Sequence, residues 1–205
     1  MSTAKRIRPA PGRRLAPDTR RQEIVDAAAL LISARGAQAV QLATVAREAG
    51  ITRQLVYRYF RNREALIAAV LEDFADDLAR RFGHGAARAL PTSLEDATRV
   101  FVEAVCDTIA AKGAGAWMLL DGHGPDPELA RLGRALQEQV VAPWRAQIAA
   151  TTGMRRQEVA VVTPMIVAAG RAALAAWYTG RLGRDAAVRY ATRGVSALLA
   201  AFTSR

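Results

Sequence analysis

Apolar residues recur at every third or fourth position along most of the chain, and two-residue alternation never persists. Side chains three and four apart share one face of a helix, whereas a half-buried strand needs a period of two. The chain therefore reads as all-α, in about nine helices. Asp18 or Thr19 caps a first helix, with Gln22 placed as in a capping box. Its stripe is Ile24, Ala28, Leu31 and Ile32, and Gly36 ends it. A short helix over about 42–49 stops at Gly50, and a third begins at Thr52 or Arg53. Asn62 caps a fourth with the stripe Leu66, Val70, Leu71, Phe74 and Leu78, and Gly83, Gly85 and Pro91 punctuate the link that follows. Thr92 and Ser93, followed by Glu95 and Asp96, open a fifth with the face Leu94, Ala97, Phe101, Val105 and Ile109. A short sixth lies near Trp117–Leu120. Three long helices over about 127–151, 155–181 and 184–203 complete the count, with kinks expected at Pro143 and Pro164.

Charge divides the chain unevenly. Residues 1–63 hold thirteen basic and four acidic side chains; residues 64–205 hold sixteen and fifteen. A strongly positive first third on a near-neutral remainder suits a polyanion-binding head joined to a body with another task. Residues 1–17, with Lys5, Arg6, Arg8, Arg13 and Arg14 among prolines and a glycine, read as a disordered basic arm that adds non-specific phosphate contacts. Residues 18–74 form the head and 75–205 the body, with the boundary along the fourth helix.

Several classes drop out. A single cysteine, Cys106, cannot make an internal disulfide, and two histidines leave little material for a metal site. No secretory signal is evident. The longest uncharged apolar stretch, Val159 to Gly170, is too short to span a bilayer, contains Pro164 and ends at Arg171, so a cytoplasmic location is expected. No nucleophile–base constellation can be assembled, and His84 and His123 sit in Gly-His-Gly contexts without the strand of a nucleotide loop. The chain is read as no enzyme, with no cofactor and no metal.

Leu42 to Arg61, LATVAREAGITRQLVYRYFR, carries the functional argument. Two helices crossing over a short turn need a small residue at the crossing and a glycine in the turn, and Ala46 and Gly50 supply them. Val45, Ala49, Ile51 and Val56 are the apolar plugs. Thr52 caps the following helix, on which Val56 and Phe60 face inward while Arg53, Gln54, Tyr57 and Arg58 face outward. Arginine pairs with guanine, glutamine with adenine, and tyrosine hydroxyls bond phosphate. Leu55 can meet a thymine methyl.

Residues 19–74 resemble the DNA-binding domain of the tetracycline-repressor (TetR) family of bacterial transcriptional regulators. The matches are Ile24, Ala27, Ala28 and Gly36; Ala46, Ala49, Gly50, Ile51 and Thr52; and Tyr57, Tyr59 and Phe60 before Glu64, Leu66 and Val70. The resemblance implies a homodimer with a ligand-responsive helical body, each third helix entering a major groove. It implies phosphate contacts at Thr52, Tyr57 and Arg63, and base reading at Arg53, Gln54 and Leu55. Gln41 stands where the family usually has Ser or Thr on a phosphate, and Gln54 where Gly is frequent.

The body should supply a dimer face and an effector cavity. Ala168, Ala169, Ala172, Ala173 and Ala176, with Leu198, Leu199 and Phe202 on the last helix, suit a four-helix bundle between two copies. Phe101, Trp117, Met118, Trp144 and Trp177 are candidate cavity residues, with His123, Arg145 and Arg171 as polar anchors. The reading is a homodimeric repressor that binds a pseudo-palindromic double-stranded DNA operator and is released by a small, largely apolar effector. The alternative is an activator or architectural DNA-binding protein without a ligand, which a body lacking a cavity between residues 90 and 180 favours.

Overall fold

A computed structural model describes residues 17–119 and 127–203. The described residues form nine α-helices and one 3-10 turn, with no strand among them. Residues 1–16 of the expected basic arm fall outside the described residues, as do His123 and the last residue of the expected sixth helix, while Pro17, also assigned to the arm, opens the first helix.

The head is α1 (Pro17–Arg35), a 3-10 turn (Ala37–Ala39), α2 (Leu42–Glu48), α3 (Arg53–Tyr59) and the start of α4 (Arg63–Ala89). Helix α1 begins at Pro17, ahead of both expected caps. Gln22 forms no capping box; its amide donates to Asp26 and Asp73, each at 3.0 Å. The other expected caps hold. Thr52 Oγ1 accepts the Leu55 N–H at 3.3 Å and Asn62 Oδ1 the Ala65 N–H at 2.8 Å, each satisfying a donor that the helix cannot. The head closes on Ile24, Ala28, Leu31, Ile32, Val45, Ala46, Val56, Phe60 and Leu66, all buried.

The body adds α5 (Leu94–Lys112), α6 (Gly115–Leu119), α7 (Pro127–Thr152), α8 (Arg156–Tyr178) and α9 (Arg184–Thr203). Gly83 and Gly85 do not mark a link: α4 runs through both to Ala89, and its C-cap Leu90 has a left-handed φ of 44°. A Cβ on Gly85 would come within 2.8 Å of Val100 Cγ1, so the glycine lets α5 close on α4. His84, expected in a loop, is an exposed residue of α4. Pro143 and Pro164 lie inside α7 and α8, within helices whose expected spans already contained them. Both prolines, and the residues Gln139 and Ala160 whose carbonyls they free, are exposed, so water can take the place of the lost donor. Because α8 continues on both sides of the uncharged stretch, it is long and apolar enough to cross a membrane by length and composition, which the sequence did not suggest.

Helix α4 joins head to body, and one apolar core follows it from Ile24 and Val25 through Phe74 and Leu78 to Val105, Leu136 and Leu174. A second, smaller core of Ile148, Val159, Val195 and Leu199 closes the far end of α7, α8 and α9.

Candidate nucleic-acid interface and cavity

Gly50 turns α2 into α3. Its φ of 65° is open to glycine at little cost, and its N–H donates to the Arg47 carbonyl at 3.2 Å while Ile51 N–H reaches Ala46 at 2.9 Å. The turn fixes α3 with Val56 fully buried and Phe60 at its C-cap against Arg21, whose guanidinium carbon is 5.3 Å from the ring centroid. The opposite side presents Arg53, Gln54, Tyr57 and Arg58 to solvent, with Leu55 half-buried beside them. Gln41 is exposed at the N-cap of α2, and its side chain caps nothing. Two further cations of the head, Arg47 and Arg61, are exposed, and neither they nor Arg53 and Arg58 form an ion pair with any described residue. The first of these belongs to α2 and the second to the α3–α4 turn, two residues beyond the end of α3.

Arg63 sits differently from its neighbours. Its Nη2 donates to the Ala37 carbonyl at 3.0 Å, and Nη1 lies 3.7 Å from Glu64. The side chain thus ties the start of α4 to the 3-10 turn, a contact between residues 26 apart in sequence.

Between the two cores lies a cavity of about 110 Å3, walled by α5, α6, α7, α8 and α9. Phe101, Trp117, Trp144 and Arg171, singled out in the sequence, line it. Met118 does not; it is 54% exposed. Trp177 packs on the main core without reaching the cavity, and Arg145 pairs with Glu138 instead. The sequence missed Val140, Val141 and Ile148 on α7, although with Trp144 they repeat at helical spacing and could have been read as one apolar face. Phe82, Phe101 and Trp144 form an aromatic triad with centroids 5.2–5.6 Å apart, and Trp117 packs on Phe74 of α4 at 6.2 Å.

Two contacts carry the cavity's neighbourhood to the head. Gly115 N–H donates to Ser33 Oγ at 3.0 Å, and a Cβ on Gly115 would stand 2.6 Å from both Ile32 Cγ2 and the Ser33 nitrogen. Lys112 Nζ bonds Asp73 at 2.6 Å and approaches Asp26 at 3.8 Å, tying α5 to α4 and α1. Cys106 is fully buried on α5, and burial pushes its thiol up to about 11, which makes it unreactive.

The exposed polar side of a short helix held on a glycine turn, above a helical body with an apolar cavity, defines a two-part helix-turn-helix protein. A family model described as bacterial regulatory proteins of the tetR family matches residues 24–70. Over those residues the chain is similar to that family. It is 28% identical over 109 residues to the HTH-type transcriptional regulator BetI of Brucella anthropi, covering 53% of this chain and 56% of the relative. The chain spans about half the length of the curated relatives it matches. Its fold is that of a TetR-like transcriptional regulator from Rhodococcus sp. (TM-score 0.70, 22% identity, 91% of this chain and 99% of that one). It is also that of the regulator FadR from Bacillus subtilis, solved in complex with stearoyl-CoA (TM-score 0.67, 15% identity, 87% and 97%).

Proposed function

We propose that the chain is a cytoplasmic, DNA-binding transcriptional regulator: a homodimeric repressor that binds a pseudo-palindromic operator and leaves it when a small effector occupies the cavity. The observation that carries this reading is the exposed side of α3, where Arg53, Gln54, Tyr57 and Arg58 stand together on a helix whose other side is locked into the head core. In this reading Arg53, Gln54 and Leu55 read base edges, and Thr52, Tyr57, Gln41 and Arg63 hold phosphates. Arg47 and Arg61 add charge. Arg63 is the weakest of the phosphate contacts, because Ala37 already engages its guanidinium.

Two copies pair through α8 and α9, with Ala169, Ala172, Ala173, Ala176, Leu198 and Phe202 at or beside the interface. The two α3 helices then face half-sites about 34–36 Å apart or a multiple of that spacing. The effector part is supported by the cavity, which the reading without a ligand would lack. Effector and operator oppose each other to the same extent in both directions, since coupling between binding sites is reciprocal.

The test is enrichment of a randomised duplex pool, followed by a salt titration on the enriched sequence. Each phosphate neutralised should contribute about −0.9 to the slope of log K against log salt. An unenriched pool, or binding that salt does not weaken, refutes the proposal.

A further inference from the structure

The described walls of the cavity are of two kinds. Phe101 of α5, Trp117 of α6 and Trp144 of α7 supply aromatic surface, while α8 and α9 contribute no ring and supply aliphatic surface through residues such as Val167, Leu174 and Leu199. The aromatic rings are held by packing outside the cavity. Phe101 and Trp144 meet edge to face at 5.2 Å, and Phe82, which does not line the cavity, packs on both at 5.6 Å. Trp117 packs on Phe74 at 6.2 Å, and Arg171 lies over its ring with the central carbon 5.7 Å from the centroid. Rings fixed in this way resist collapse into the space they border. Thr98 and Thr163 commit their hydroxyl protons to the Leu94 and Val159 carbonyls, each at 2.7 Å, so neither has a proton to offer a ligand.

Size and wall chemistry together narrow the occupant. The volume of about 110 Å3 is near the roughly 150 Å3 in which an apolar cavity holds benzene. One ring comes close to filling it, whereas a long chain or a fused ring system overfills it. Aromatic rings pack best edge to face or offset, with centroids about 4.5–7 Å apart. A ring among Phe101, Trp117 and Trp144 would extend the arrangement that these side chains already adopt with Phe82 and Phe74. We propose that the cavity takes a single-ring aromatic compound. This rests on the effector reading above and names the chemical class of that effector.

The test compares benzene, cyclohexane, naphthalene and n-octane on the full chain, by calorimetry and by tryptophan emission. Each affinity is taken relative to the compound's own transfer from water into hydrocarbon, so that apolar area alone gives no preference. On that scale benzene should bind about two- to tenfold more tightly than cyclohexane, which is of similar size but has no π face. Naphthalene and n-octane should both bind more weakly than benzene, because they overfill the space. Phe101→Leu should narrow the preference for benzene over cyclohexane, and Val167→Phe, which fills the cavity, should weaken benzene by about tenfold or more. The wild-type series decides the matter even if a variant does not fold. Absent benzene binding, cyclohexane bound as tightly as benzene, or a larger compound preferred each overturns the assignment. So does an undiminished preference in folded Phe101→Leu, or undiminished benzene binding in folded Val167→Phe. A long-chain or fused-ring compound that binds and releases enriched duplex where benzene does not would overturn the single ring and leave the regulator standing. Failure to bind any duplex would do the reverse, since benzene binding is measured without DNA.

Discussion

At the scale of single residues, α3 separates what a helix needs from what it offers. Val56 and Phe60 are spent on the head, so Arg53, Gln54 and Tyr57 are free of structural duty. Arg53→Ala should therefore leave stability within about 0.5 kcal/mol. It should cost about 1–3 kcal/mol against the preferred sequence and relax discrimination at one base pair, read by anisotropy over single-base operator variants. Tyr57→Phe removes one hydroxyl and should weaken all sequences alike by about 0.5–1.5 kcal/mol. A loss that varied with sequence would make Tyr57 a base reader instead. Thr52 has both duties. Thr52→Ala should lower the urea-unfolding free energy by about 0.5–2 kcal/mol through the lost cap, and Thr52→Ser should restore it. This division was legible in the sequence because it follows from helical period and cap chemistry, both local. The Arg63 guanidinium was not: its partner is a carbonyl on another element, and no spacing announces it.

At the scale of elements, the short helix α6 has the most to explain. Its first residue packs against α1 with no room for a side chain, and two residues later Trp117 lines the cavity. The sequence located the helix but could not show that its glycine touches Ser33, 82 residues away. For the same reason Gly83 and Gly85 were read as breakers, when Gly85 instead admits Val100. Gly115→Ala should push α6 off α1 and cost about 1–3 kcal/mol. It should also change operator affinity without any contact to DNA. Unchanged stability would mean that α1 and α6 separate freely. Helix α4 gives a pH-dependent test. Asp77 is 2% exposed and bonds Arg80 and Arg81. Burial alone would raise its carboxyl, but the Arg81 hydrogen bond and the charges of Arg81, Arg80 and Lys112 outweigh burial and hold it below the usual 3.8. A depressed carboxylate stabilises the fold fully above its unfolded value and less as pH falls through its folded one. The wild-type urea midpoint should therefore fall below about pH 4. Asp77→Asn should be less stable near neutrality by about 1–3 kcal/mol and flatter against pH in that acid range.

At the scale of the whole molecule, the proposed pairing of two copies turns on α8. Its composition would serve a membrane span, yet only 22% of its most apolar window is buried by its own chain. Its inner side packs on α9 and walls the cavity through Thr163, Ile166, Val167, Arg171 and Leu174. Its outer side leaves Val161 65% and Met165 42% exposed, with Ala168 and Ala172 in line. Tyr190 and Phe202 of α9 are exposed as well. A helix that lines a cavity on one side and bares apolar groups on the other is suited to lie between two compartments. In the proposed reading those are the effector's and a partner subunit's. Small residues at 168 and 172 would let two such helices approach closely, so a long charged side chain there should keep copies apart. Ala172→Arg is solvent-facing in one chain and should leave its thermal unfolding nearly unchanged. In sedimentation it should run near the 22.0 kDa of a single chain, with the wild type at twice that. Operator affinity should drop by a factor of about 100 or more, because the second half-site is no longer delivered at high effective concentration. Binding to an isolated half-site should be unaltered. A variant that still sediments as a pair would move the interface off α8, whereas a separated chain with full operator affinity would sink the twofold reading itself.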